Sequence, residues 1–431
     1  SNYKAIQKMT SLRSGVKIIP MKKLLGIVVL SLLLIHPVYA GTCKTPKNPK
    51  EKFVLAPEPV PYKRKVSTNR IEEVLSNRKT INVFRAWHKG KYDSNKYGLY
   101  WDGFSTIPPK SFNLGIREIY WQYAPKSLSY FYKDFDKFAK NKKWKDGSEY
   151  KNKIIIDHTH IDYPKFITNI IKKNTKTMDG ILFDWWHDEH DFAGGFSKSK
   201  VKQSRINIVK EVRDELGDDF LIIGNTNWRK DSGTHDTING VFMELNKKNL
   251  SGYSCGQIKN IEGIIKFHDQ NLQEPRIIAV NPWRITKVSK ELVKKLTIER
   301  LGEENERDLS KSEKKWWINY WKFHYRSSPE NIKFAKLFTA MAMVIPENGY
   351  ILYGDNNPNP NPDHYHDFYD FYNTDLGKEI SKGMEITEGL GFKMYEKGVI
   401  VYNRTKFKYT IKFKDEKKVE IGPLEGVFVE D

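Results

Sequence analysis

Two carboxylates stand directly against apolar runs: Asp184 in DGILFDWWHDEH (Asp179–His190) and Glu244 in NGVFMEL (Asn239–Leu245). A charge abutting a core costs free energy unless it is paired or put to use. A pair of carboxylates is the equipment for glycoside cleavage, in which one protonates the leaving oxygen and the other attacks or stabilises the anomeric carbon. Asp184 and Glu244 are therefore the candidate catalytic residues. Other apolar runs also finish in polar or aromatic groups: Arg85, Trp87 and His88; Trp121; Asp157 and His158; Trp186; Asn225 and Asn227; Trp283; Asp355. Flat aromatic faces suit pyranose rings, and Asn, Asp, Arg and His suit sugar hydroxyls, so this set is the expected substrate-binding group. Taken singly, an Asp or Asn after a strand is often only a cap or turn former, and a Trp is usually core.

The same stretches also hold metal-ligand types, in DHTHID (Asp157–Asp162) and HDEHD (His187–Asp191). No HExxH helix accompanies them, so metal-dependent hydrolysis stays an alternative, and neither metal nor cofactor is expected. Asp188 and Glu189 compete with Asp184 for the catalytic role. No G-x-S-x-G elbow supports a nucleophilic serine.

Positioning groups at successive strand ends requires strands that converge. Eight apolar runs recur, at 81–87, 116–124, 153–159, 180–186, 220–226, 240–245, 276–283 and 349–355. Several lack the polar alternation of a half-exposed strand, as when both faces of a parallel sheet are covered. Between two of them, Val201, Ile208, Val209, Val212 and Leu216 fall at helical spacing before Gly217. Strand and helix repeated to eight predict an α/β fold, a (β/α)8 TIM barrel with its functional groups at the C-terminal strand ends. The barrel is expected over residues 80–385, with a helical insertion at 287–345 whose aromatic run WWINYWKFHY should pack it onto the barrel. Residues 386–431 alternate between turn signals and predict a small C-terminal antiparallel β module. Residues 41–79 are rich in Pro and Lys and read as an extended N-terminal arm.

Residues 1–40 are expected to be an upstream extension and signal peptide, since Met21–Ala40 pairs two lysines with an apolar stretch and a small-residue end. This places the mature protein in a bacterial periplasm or outside the cell, without stable membrane insertion after cleavage. The formal charge is +20, of which six Lys or Arg lie before Gly41, leaving +14. That balance suits a polyanion, yet no basic run carries a nucleic-acid motif, so the expected partner is a carbohydrate and not a nucleic acid. Only Cys43 and Cys255 are present, enough for one bridge and too few for a cysteine zinc site.

The segments MDGILFDWW, LIIGNTN, NGVFMEL and LFTAMAMVIPENGYILYGD resemble the glycoside-hydrolase-like barrels of bacteria, akin to the polygalactosaminidase and α-galactosidase types. The resemblance spans most of residues 80–431. It implies an Asp at the end of a fourth strand as nucleophile or base, matched by Asp184, and an acid from a later strand, best matched by Glu244. The reading is a glycoside hydrolase of retaining type; a barrel that binds glycan without turnover is the non-enzymatic alternative.

Overall fold

The computed structural model describes residues 42–63, 69–86, 96–102, 113–125, 134–141, 153–189, 195–230, 233–246, 252–285, 287–355, 365–366 and 368–431. The expected signal peptide, Trp87, His88 and His190 lie outside them. Eight parallel strands form one sheet: β1 (Phe84–Ala86), β2 (Leu99–Asp102), β3 (Leu114–Ile119), β4 (Gly180–Phe183), β5 (Leu221–Asn225), β6 (Gly240–Leu245), β7 (Ile277–Pro282) and β8 (Asn348–Ile351). A parallel bridge from Val83 to Ile351, with the Ile351 N–H donating to the Asn82 carbonyl at 2.9 Å, closes the sheet into a barrel.

Alternation along the strands divides two apolar layers. Phe84, Trp101, Ile116, Leu182, Ile223, Phe242, Ala279 and Tyr350 fill the barrel interior. Ile119, Phe183, Ile222, Met243 and Val280 face outward against the helices. The outer helices include α2 (Tyr163–Asn174), α3 (Lys198–Leu216), α4 (Cys255–Asn271) and α8 (Pro329–Val344). In α3, the Ser197 side chain accepts from the Lys200 N–H, Gly217 ends the helix at φ 78°, and Val201, Ile208, Val209 and Val212 are buried. Each such side chain contributes about 1.5–3 kcal/mol by leaving water. Among the described residues no helix separates β5 from β6.

The strand list differs from expectation at two places. The run at 153–159 is not a barrel strand: Lys153–Ile156 pairs antiparallel with Tyr123–Pro125 and Ala139–Asn141 in a small sheet within the β3–β4 connection. The missing barrel strand is Leu99–Tyr100–Trp101–Asp102, four residues without an aliphatic run. The region at 287–345 also divides. Helix α8 is the barrel's own β7–β8 helix, and the insertion proper consists of α5 (Lys290–Leu301), α6 (Glu303–Arg307) and α7 (Lys311–His324). Within it Trp321 Nε1 donates to Thr297 Oγ1 of α5 at 2.9 Å, Arg300 of α5 sits over the Tyr320 ring and Trp316 is 53% exposed, while Tyr325, the last residue of the aromatic run, packs against the core shared by the barrel and its helices.

The segment 41–79 carries regular structure. Helix α1 (Arg70–Ser76) inserts Ile71, Val74 and Leu75 into the interior layer, while Arg70 pairs with Asp179 and reaches the Asn113 carbonyl, just before β4 and β3. It therefore plugs the N-terminal end of the barrel. Glu51–Leu55 pairs in parallel with Lys408–Lys412, making a three-stranded sheet with Lys418–Ile421. That sheet shares a core, through Tyr409, Ile411 and Val419, with the antiparallel sheet of Met384–Thr387, Leu390–Tyr395, Gly398–Asn403 and Glu425–Glu430. Cys43 and Cys255 form a disulfide that ties the N-terminal segment to the start of α4. Among the described residues no helix is long and apolar enough to cross a membrane.

Candidate active site at the barrel mouth

The interior phase of each strand continues into a polar layer at its C-terminal end. Two residues beyond Ile116, Leu182, Ile223, Phe242 and Ala279 stand Glu118, Asp184, Asn225, Glu244 and Asn281. One side chain organises this layer. Asn225 Nδ2 lies 2.9 Å from Asp184 Oδ1 and 3.3 Å from Glu244 Oε2, so a single amide nitrogen touches both carboxylates. Its orientation is set from behind, because the Asn227 N–H donates to Asn225 Oδ1 at 3.2 Å and leaves the donor end facing the acids. Asn227 adopts φ 51°, a left-handed conformation that Asn tolerates better than most residues.

Asp184 Oδ1 also accepts the Trp185 N–H at 2.9 Å. Two donors on one oxygen favour the ionised form of that carboxylate. Trp185 is half-buried at φ 52°, a strained conformation for a bulky residue at the turn that leaves β4. Beneath the pair, Phe242 meets Trp101 edge-on at 4.7 Å and Phe84 at 5.4 Å. This dry aromatic layer keeps water from below and strengthens the polar contacts above it.

The expected substrate-binding residues separate into distinct environments. Asn225 and Asn227 belong to the carboxylate cluster. Trp121 is buried, and its indole N–H donates to the Asp184 carbonyl at 2.8 Å, fixing the strand end from inside the core. Trp186 is also core: it stacks on Phe183, and its N–H donates to Thr234 Oγ1 at 3.0 Å. Neither indole offers a face to a sugar. His158 is buried beneath α3, with Nδ1 2.8 Å from Ser204 Oγ. Asp157 accepts from the Thr159 N–H and hydroxyl as a turn former. Arg85 lies between the interior residues Phe84 and Ala86 and so takes the opposite face of β1. Trp283 follows β7 half-buried on the rim, its backbone N–H donating to the Tyr253 hydroxyl at 2.6 Å. Asp355 follows β8, where its backbone pairs with Tyr365.

The competing acids are held elsewhere. Asp188 pairs with the buried Arg205. Glu189 bonds Arg229 at 2.9 Å and Lys198 at 3.2 Å, and these hydrogen bonds hold its carboxyl below the usual range. Among the described residues no three His, Cys, Asp or Glu side chains gather as a metal site. Two members of the mouth were absent from the sequence-based set: Trp185 and the buried Glu118, which accepts from Trp101 Nε1 at 3.4 Å. Glu118 was legible as the acid inside the buried strand LGIREI; the strain at Trp185 had no sequence signal.

No family model matches the chain, and no curated protein matches it. In structure it is similar to the glycoside hydrolase domain of PelA from Pseudomonas aeruginosa, at 8% identity and TM-score 0.35 over 52% of this chain and 92% of that one. It is also similar to an α-amylase from Lactobacillus plantarum, at 8% identity and TM-score 0.39 over 81% of this chain and 97% of that one. A third similar structure is the GH36 α-galactosidase AgaA from Geobacillus stearothermophilus, at 8% identity and TM-score 0.33 over 78% and 48% of the two chains.

Proposed function

We propose that the chain is a glycoside hydrolase of retaining type acting on a poly- or oligosaccharide, with Asp184 as nucleophile and Glu244 as general acid and base. The observation that carries this reading is the amide shared by the two carboxylates, with contacts of 2.9 and 3.3 Å. The two N–H directions of an amide diverge by about 120°, which puts the bonded oxygens about 5 Å apart, near the ~5–5.5 Å of retaining enzymes and short of the ~6.5–9.5 Å that admits a water. Asp184 is the nucleophile because two donated hydrogen bonds favour its ionised form. It attacks the anomeric carbon as Glu244 protonates the departing glycosidic oxygen. In the second half, Glu244 takes a proton from water, which displaces the sugar from Asp184.

Export fits the same reading. The Cys43–Cys255 disulfide suits a periplasmic or extracellular setting, where such bonds persist, and Met21–Ala40 is the segment that would direct the chain there. The test is turnover of a polysaccharide panel by the wild type and by Asp184→Asn and Glu244→Gln. Each substitution should lower turnover by several orders of magnitude with an unchanged circular dichroism spectrum. Wild-type activity in either variant removes that residue from the mechanism.

A further inference from the structure

The insertion leaves and rejoins the barrel at one point on the mouth side. Past the end of β7, the Ile285 N–H donates to Asn331 Oδ1 at 2.8 Å, and Asn331 Nδ2 donates back to the Ile285 carbonyl at 3.1 Å. Helices α5 to α7 are thus mounted on the rim, beside the strand that neighbours Glu244. Their surface has two properties that barrel packing does not explain.

The first is an open aromatic face. Trp316 is 53% exposed and stacks on Tyr320, with centroids 5.3 Å apart and planes 23° from parallel. A buried ring is explained by packing; an exposed ring stacked on a second one is a platform of the size and flatness of a pyranose. The second is charge. From Lys311 to Arg326 there are five basic residues and one acid, Glu313, whose carboxylate is taken up by Ser310 at the helix start. The exposed Arg300 lies over the Tyr320 ring at 5.2 Å, and His324 packs on the same ring at 4.2 Å. Burial, together with the positive fields of Arg326, Arg300 and Arg284, holds His324 below its ordinary range.

We propose that the α5–α7 insertion is a rim subsite for an acidic glycan, with the exposed face of Trp316, backed by Tyr320, stacking a sugar ring and Arg300 engaging its carboxylate or sulfate. This rests on the glycoside hydrolase reading and narrows its substrate to polyanionic polysaccharides. Guanidinium recognises such groups by paired donors, and the stacked rings favour a pyranose over a generic polyanion. The net positive charge of the chain then draws the polymer toward the mouth.

The experiment is calorimetric titration of the Glu244→Gln protein, silenced for turnover, with an oligogalacturonate, a neutral malto-oligosaccharide of equal length and a single-stranded DNA oligomer. The oligogalacturonate should bind at least ten-fold tighter than the other two, and Trp316→Ala or Arg300→Gln, both at exposed positions, should each weaken it about ten-fold. Equal binding of the neutral sugar or of DNA, or retention of full affinity in both variants, overturns the proposal. Hydrolysis of neutral polysaccharides by the wild type without preference for uronates would sink this subsite and leave the glycosidase reading standing. Trp316-dependent uronate binding with no turnover of any glycan would do the reverse.

Discussion

Asn225 offers the sharpest physical test of the mouth, because its effect is readable without a substrate. Its side chain is fully buried, its Nδ2 contacts Asp184 and Glu244, and its Oδ1 takes the Asn227 N–H. Hydrogen bonds to charged groups contribute about 1.5–3 kcal/mol each, so Asn225→Ala should destabilise the fold by about 2–4 kcal/mol after partial hydration of the gap. In the wild type, Asp184→Asn neutralises the acceptor of two donors, Asn225 Nδ2 and the Trp185 N–H, and should cost about 1–2 kcal/mol. In the Asn225→Ala background the same change removes a carboxylate that has lost its bridge to Glu244, so it should be neutral or stabilising. The double-mutant cycle, read by urea unfolding with tryptophan fluorescence, should therefore return a coupling of about 1–2 kcal/mol or more, where independent sites add within about 0.5 kcal/mol. Additive costs would refute the shared amide and, with it, the inferred carboxylate spacing.

Three further outcomes follow from the packing. Glu262 accepts from Tyr402 at 2.7 Å and pairs with Arg404, joining α4 to the C-terminal sheets; Glu262→Gln leaves the largely buried Arg404 guanidinium with the more exposed Glu388, at 3.1 Å, as its counter-ion and should cost about 2–3 kcal/mol in chemical denaturation. Burial pushes the Asp269 carboxyl above its ordinary 3.8, outweighing the hydrogen bond from the Glu347 N–H. The fold therefore binds the Asp269 proton more tightly than the unfolded chain does, and stability falls as pH rises from 3.8 through the raised value. Asp269→Asn should flatten that segment of the pH–stability curve and raise Tm at pH 7, with little change at pH 3. Cys43→Ser opens a loop spanning 212 residues and should lower stability by about 5 kcal/mol in the chain-entropy model, with reductant reproducing the loss in the wild type alone.

The later barrel strands were legible because β5 to β7 are apolar runs bounded by turn residues and ending in a polar group at a fixed interior phase. Reading the ends of β4, β5 and β6 singled out Asp184, Asn225 and Glu244. Strand β2 was not legible, since Leu99–Asp102 is too short and too polar to stand out, whereas Ile154–Ile156 carries the stronger signal and serves a connecting sheet. Periodicity alone cannot separate a barrel strand from a buried strand elsewhere. Trp186, expected among the substrate-binding residues, is core for a backbone reason: φ 52° at Trp185 turns the chain so that Trp186 is buried and Trp185 stays at the mouth. Arg85 failed by one residue of phase, because Phe84 and Ala86 take the interior. His158 and Asp157 followed from reading their strand as part of the barrel.

The central claim is a covalent step on Asp184, and trapping tests it most directly. The protein, incubated with an activated 2-deoxy-2-fluoro glycoside of a sugar it hydrolyses, should gain the mass of one glycosyl group, and peptide mapping should place that group on Asp184. A label on Glu118, Asp188, Glu189 or Glu244, or continued hydrolysis with inverted product and no label on any residue, would contradict the account.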